Sequence, residues 1–305
     1  MKVVGIGGGH GLAASLRAAR LYADDIAAVV TVADDGGSSG RLVRELGVPP
    51  PGDIRNCLIA LARNEAMAGL YQHRFESGEL TGHPLGNLLI AALTEMTGDF
   101  ASAIYEAGRL LDCDGIVYPA TSELVDLRAI VNGDVVRGQV AVALTEGPIQ
   151  AVYLQPDDPP ACEEAVDAIF TADQVILGPG SLFTSLIATL LVPGIRQALL
   201  DSPAIRILVA NNRVQKGETS GLDGTAHVES VLAHSGANTL DAVIVQAPVL
   251  EPDGVSFDRP SIENLGIEVR EANVSTGDGA HDPEALAEAL QSFGSGGRSE
   301  LGDPD

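Results

Sequence analysis

Two carboxylates, two glycines, two serines and a further glycine stand together at Asp34-Asp35-Gly36-Gly37-Ser38-Ser39-Gly40, directly after an apolar run over residues 26–32. A strand end needs turn residues, but it does not need this many small polar ones. Acids beside glycines that let a ligand approach the backbone point to a polar, phosphorylated ligand. Asp34 and Asp35 could hold a metal, bond a ribose or base, or cap the next helix. Ser38 and Ser39 could donate to phosphate or cap that helix. A second set, Gly7-Gly8-Gly9-His10-Gly11, follows the apolar residues 2–6 and opens an Ala/Leu-rich helix. The G-x-G-x-x-G dinucleotide fingerprint is not met, because position 10 is His, and no G-K-[ST] follows to make a Walker A loop. Gly8, Gly9, His10 and Gly11 suit phosphate at a helix N-terminus, although a tight turn alone would also use them.

Three further sets carry candidate chemistry. Pro49-Pro50-Pro51-Gly52-Asp53-Ile54-Arg55-Asn56 places Asp53, Arg55 and Asn56 behind a stiff approach, with Asp53 expected to cap the following helix. His83-Pro84-Leu85-Gly86-Asn87 brings a histidine, which could act as acid or base, and Asn87 to another helix start. Gly178-Pro179-Gly180-Ser181-Leu182-Phe183-Thr184 repeats the glycine-rich exit from a strand, and Asn211-Asn212 ends a later one. Gly180, Ser181 and Asn211 are therefore expected at the same crevice, since loops after several strands of one parallel sheet share an edge. The polar loop 215–225, with Glu218, Thr219 and then His227, reads as a lid or a subunit contact. No Ser/His/Asp or Cys/His set has the setting of a nucleophile elbow.

The elements that must position these residues are those of an α/β chain. Strands are expected at 2–6, 26–32, 174–177, 205–210 and 242–246. Helices are expected at 12–22, 40–46, 52–62, 88–94, 100–111, 161–171, 184–191 and 194–200. Between them, residues 116–120, 125–131, 135–144 and 149–154 read as further strands around the hairpin signal Asn132-Gly133-Asp134, giving a small antiparallel segment over about 116–154. The expected fold is a Rossmann-like, mostly parallel sheet with helices on both faces. It forms a single domain over residues 1–291, followed by a Gly/Ser/Asp-rich disordered tail over 292–305.

Composition narrows the function. Of 305 residues 45% are apolar, enough for a sizeable core, and without Trp that core must be mostly aliphatic. The formal net charge of −24 argues against a nucleic-acid groove, which needs a basic stripe, and against an anionic membrane surface. Cys57, Cys113 and Cys162 are far apart and odd in number, indicating neither a disulfide framework nor a zinc site. No apolar run approaches the ~20 residues that span a bilayer. Without a leader segment at the N-terminus, a cytoplasmic location is expected.

Taken in order, Gly7 to Leu12, Thr31 to Gly40, Pro50 to Asn56, Gly82 to Asn87, Gly178 to Leu182 and Gly217-Glu218-Thr219 resemble the YvcK-type gluconeogenesis factor family, within the wider CofD-like fold. Six motifs in order over roughly residues 1–285 are far more specific than any one alone. The resemblance implies a nucleotide-binding core whose ligand is a UDP-sugar such as UDP-N-acetylglucosamine. It also implies a regulatory role in carbon metabolism, cell-wall synthesis and cell shape, with no cofactor required. The partners implied are the nucleotide-sugar itself and cell-wall or metabolic proteins, with self-association left open. The related CofD enzymes move a phospholactyl-type group from a guanosine diphosphate donor to a deazaflavin. That alternative would place Mg²⁺ at Asp34 or Asp35. The aromatic-poor composition offers no evident platform for a deazaflavin, which favours the regulator. The chain departs from the family at His10, where Thr is usual, and at Ala280, where Arg often precedes the His-Asp pair.

Overall fold

The computed structural model describes residues 1–294; residues 295–305, most of the tail expected to be disordered, lie outside the described residues. From the N-terminus run β1 (Lys2–Gly7), α1 (Gly9–Ala19), β2 (Asp25–Val30), α2 (Gly37–Leu46), α3 (Gly52–Leu61), α4 (Glu65–Gln72), α5 (Leu85–Thr97), α6 (Phe100–Leu111) and β3 (Ile116–Pro119). β4 (Asp126–Val131), β5 (Asp134–Arg137), α7 (Gln139–Ala143), β6 (Ile149–Gln155), α8 (Glu163–Phe170) and β7 (Gln174–Leu177) follow. Then come α9 (Leu182–Leu190), whose first six residues are π-helical, α10 (Pro193–Asp201) and β8 (Ile205–Val209). α11 (Gly224–Ser235), β9 (Ala242–Gln246), α12 (Arg259–Glu263), β10 (Glu268–Ala272) and α13 (Pro283–Gln291) close the described chain.

Seven strands form one parallel sheet in the order β10-β9-β8-β7-β1-β2-β3. β7, β8 and β9 are buried at every residue, as expected of parallel strands covered by helices on both faces. Two aliphatic cores result. One lies under α1, α3, α6 and α13; the other lies under α8, α9, α10 and α11 and reaches the second sheet. The chain winds outward from β1 through β2 to β3, and from β7 through β8 and β9 to β10. The order therefore reverses between β1 and β7, and a doubly wound sheet binds its ligand at such a reversal, beyond the carboxyl ends of the strands.

The second sheet is antiparallel, in the order β5-β4-β6. It is smaller than the segment expected over 116–154. β3 instead pairs in parallel with β2 and ends the main sheet, because its residues continue the α6 return onto that edge. The expected strand over 135–144 stops at Arg137. The chain turns through Gly138 at φ +88° into α7, and Asp35 Oδ1 accepts from Val140 N at 2.9 Å to hold that turn. α2 begins at Gly37 rather than Gly40, so Ser38 and Ser39 lie inside its first turn. Residues 292–294, read with the tail, continue from α13 as a turn, and Phe293 packs under Arg270.

Candidate functional site

The β1–α1 and β7–α9 loops meet at the reversal point. Gly11 lies against the second loop so closely that a Cβ there would fall 2.4 Å from Pro179 O and 2.6 Å from Gly180 Cα. Ser15 Oγ, one turn into α1, donates to Gly178 O at 2.7 Å and ties the loops together. Beside this junction opens a cleft of about 400 Å³. It is lined by His10, Gly11, Arg17, Gly180, Asn211 and Arg213, with Asn212, Gln215 and His281 completing its polar wall. Among the described residues no carboxylate lines it, although the chain has 42 acidic residues against 18 Lys and Arg. A pocket with two guanidinium groups, two imidazoles and three amides, in so acidic a chain, suits an anion. His281 contributes as a neutral ring. Burial pushes its pKa down to about 4, and its Nε2 donates to Ala210 O at 3.1 Å.

Asn211 positions the cradle more than it lines it. Its Oδ1 accepts from Gly180 N at 3.0 Å and its Nδ2 donates to Gly180 O at 2.7 Å, fixing that peptide from both sides. Ser181 follows, ahead of the π-helical turn of α9, a geometry that recurs at functional sites. Glu218 Oε2 accepts from Thr184 N at 3.2 Å, and burial raises the Glu218 pKa.

On the opposite side of the glycine loop stand Asp34 and Asp53. Asp53 was expected to cap α3, but Pro51 takes the cap position and Asp53 turns from the first turn toward Gly8 and Gly9. Its carboxyl accepts from the Gly9 N–H, so that N–H is already engaged, while Oδ2 is buried without a partner. Burial, and then the charge of Asp34, push the Asp53 pKa up to about 7. Asp34 accepts from Gly36 N at 2.9 Å, and burial raises its pKa too.

The remaining predicted residues lie behind this wall. Arg55 donates to Asn87 Oδ1 at 2.9 Å, which orients the Asn87 amide so that Nδ2 donates to Ser38 Oγ at 3.0 Å. Ser38 Oγ is in turn hydrogen-bonded to His83 Nδ1 at 2.7 Å. Asn56 accepts from the other arm of Arg55 at 2.8 Å. Ser38, Asn87 and Asn56 are thus held in a network beneath Asp34 and Asp53. Asp35 is exposed and holds α7. His10, Gly11, Gly180 and Asn211 line the cleft; Gly8 lies against Gly180, Ser181 accepts from Gln215 on its wall, and Gly9 faces Asp53. Sequence reasoning missed Arg17, Arg213 and Gln215, because single cations and amides outside a motif give no signal until the fold gathers them.

The model of the family described as 2-phospho-L-lactate transferase CofD matches residues 3–275. A putative gluconeogenesis factor of Mycobacterium tuberculosis is 44% identical, over 94% of this chain and 89% of its own. The gluconeogenesis factor of Bacillus subtilis is 41% identical over 88% and 89%. The crystal structure of a protein member of the UPF0052 family from Bacillus halodurans superposes with a TM-score of 0.90 at 37% identity, covering 95% of this chain and 98% of that one.

Proposed function

The chain belongs to the CofD family and within it to the gluconeogenesis factors, and from that membership and the geometry of the cleft we propose that it is a regulator that binds a UDP-sugar. The observation that carries this reading is the carboxylate-free cleft at the reversal point of the sheet, flanked by two glycine loops. Backbone and amide groups there suit a diphosphate, while Asp34 and Asp53 stand ready for hydroxyl or amide donors of a ribose, base or sugar. UDP-N-acetylglucosamine is the ligand proposed, with a role in carbon metabolism, cell-wall synthesis and cell shape, exerted in the cytoplasm through protein partners.

The second reading is a transferase using a GDP-linked donor and a deazaflavin acceptor. The partnerless Asp53 Oδ2, close enough to Asp34 for the two charges to interact, favours it, since hard carboxylate oxygens suit Mg²⁺. Calorimetric titration with UDP-N-acetylglucosamine, and separately with GDP plus Mg²⁺, decides between the two. The regulator binds the UDP-sugar and returns it intact, and Asp34→Ala weakens that binding about tenfold while leaving the melting curve in place, as expected for one lost hydrogen bond to a charged group. Binding of GDP alone, followed by turnover, would establish the transferase instead.

A further inference from the structure

Gln215 lies on the cleft, and its side chain is held by backbone, amide and hydroxyl groups beside it. Its Oε1 accepts from Leu182 N at 3.3 Å and from Asn211 Nδ2 at 3.1 Å. Its Nε2 donates to Ser181 Oγ at 3.1 Å. A carboxamide oxygen facing two N–H donors at the start of a helix meets them as a phosphate oxygen could. The loop backbone is pinned independently of that side chain: Thr219 Oγ1 accepts from Gln215 N at 2.9 Å, and Thr219 N donates to Gln215 O at 3.2 Å. The side chain can therefore leave while the loop stays. A second feature of the same cleft calls for a donor, such as a hydroxyl or amide group, on a ligand. Asn212 is 2% exposed and its Oδ1 has no partner, whereas its Nδ2 donates to Gly279 O at 3.3 Å.

We infer that Gln215 is a specificity-determining residue that fills the anion cradle with its own carboxamide, so that only a ligand able to replace all three of its hydrogen bonds gains entry. The inference deepens the nucleotide-sugar reading and rests on it for the identity of the natural ligand. A diphosphate can replace the carboxamide, because its oxygens accept from Leu182 N, from Asn211 Nδ2 and from a rotated Ser181 hydroxyl. The Ser181 hydroxyl is now held between Gln215 and Glu218. A ligand with one acceptor, or with a neutral carbonyl, recovers less than it displaces and is rejected. The selectivity comes from competition inside the protein as much as from contact with the ligand.

The test titrates wild type, Gln215→Ala and Gln215→Glu with inorganic pyrophosphate and with UDP-N-acetylglucosamine, after circular dichroism has shown all three folded. Gln215→Ala opens the cradle and should bind both probes about tenfold more tightly, the worth of roughly one net hydrogen bond. Gln215→Glu keeps the acceptor but adds a negative charge among the donors, and should bind both probes at least tenfold more weakly. A residue that merely props the cradle open would weaken binding in both variants. Equal or weaker binding by Gln215→Ala therefore overturns the inference. If the expected pattern appears with pyrophosphate while UDP-N-acetylglucosamine binds to none of the three, the cradle role stands and the UDP-sugar reading falls. If the UDP-sugar binds all three alike, the reverse holds. If none binds either probe, both fall.

Discussion

The residue on which the site turns is Asp53. Its carboxyl is enclosed by the glycine loop and by Asp34, and both effects disfavour its charge. A carboxyl raised in the folded state stabilises the fold at low pH, below its unfolded value of about 4, and that contribution is lost as pH rises through about 7. The span corresponds to at most ~4 kcal/mol. Asp53→Asn is therefore expected to exceed wild type by only about 1–2 kcal/mol in urea unfolding at pH 5 and by about 4 kcal/mol at pH 8. An unfolding difference that is the same at both pH values would show that Asp53 carries no such shift. A costly carboxyl kept at the crevice proposed for the ligand follows the pattern of desolvated groups at functional sites, where stability is given up. The Arg55–Asn87–Ser38–His83 chain supports that wall from behind, with Arg55 fixing the orientation of the Asn87 amide.

At the scale of elements, the two glycine loops work as one unit because nothing larger than hydrogen fits at Gly11. Gly11→Ala should force Pro179 and Gly180 apart. We expect a loss of about 1–3 kcal/mol in stability, typical of overpacking, together with loss of UDP-sugar binding. Thermal melts and titration of the same sample check both, and undiminished binding would mean that the loops act separately. Most of the elements around the site were legible. Strands 2–6, 26–32, 174–177, 205–210 and 242–246 announce themselves as apolar runs, three of them leading directly into glycine or asparagine, and their exits imply a shared edge. What was not legible depended on partners distant in sequence. β3 was read with the antiparallel hairpin because its four residues carry no sign of which neighbour they pair with. α7 was read as strand because Gln139-Val140-Ala141-Val142-Ala143 has β-type composition, whereas Gly138 and the Asp35 contact decide its shape. Likewise Arg206, fully buried in β8, is matched to Asp241 by two side-chain bonds of 2.9 and 2.8 Å, a pairing that spacing does not signal. Asp53 was expected to cap α3, whereas it faces inward from the first turn, since a cap and an inward-facing carboxyl occupy neighbouring positions of that turn.

For the whole molecule, the central contrast is between a net charge of −24 and a cleft without a carboxylate. The global field opposes the approach of a nucleotide diphosphate, whereas the cleft proposed for it would attract it over a few ångströms. Salt separates the two, because the screening length falls from about 30 Å at 0.01 M to about 8 Å at 0.15 M. The association rate of UDP-N-acetylglucosamine should therefore rise severalfold over that range in stopped-flow measurements, where a basic nucleotide-binding protein would slow down. A rate that falls with salt would mean that the ligand is steered by local cations and that the global charge is irrelevant. The sheet reversal, the two-loop junction and the anion-suited cleft all coincide at one place, and that coincidence is the core of the account. A crystal structure of the protein soaked with UDP-N-acetylglucosamine tests it most directly. The account predicts the diphosphate between the Gly8–Gly11 and Gly180–Ser181 segments, with the Gln215 side chain displaced. Well-defined ligand density elsewhere, such as in the clefts beside Ile116 at the β3 edge, with this cleft unchanged, would contradict it.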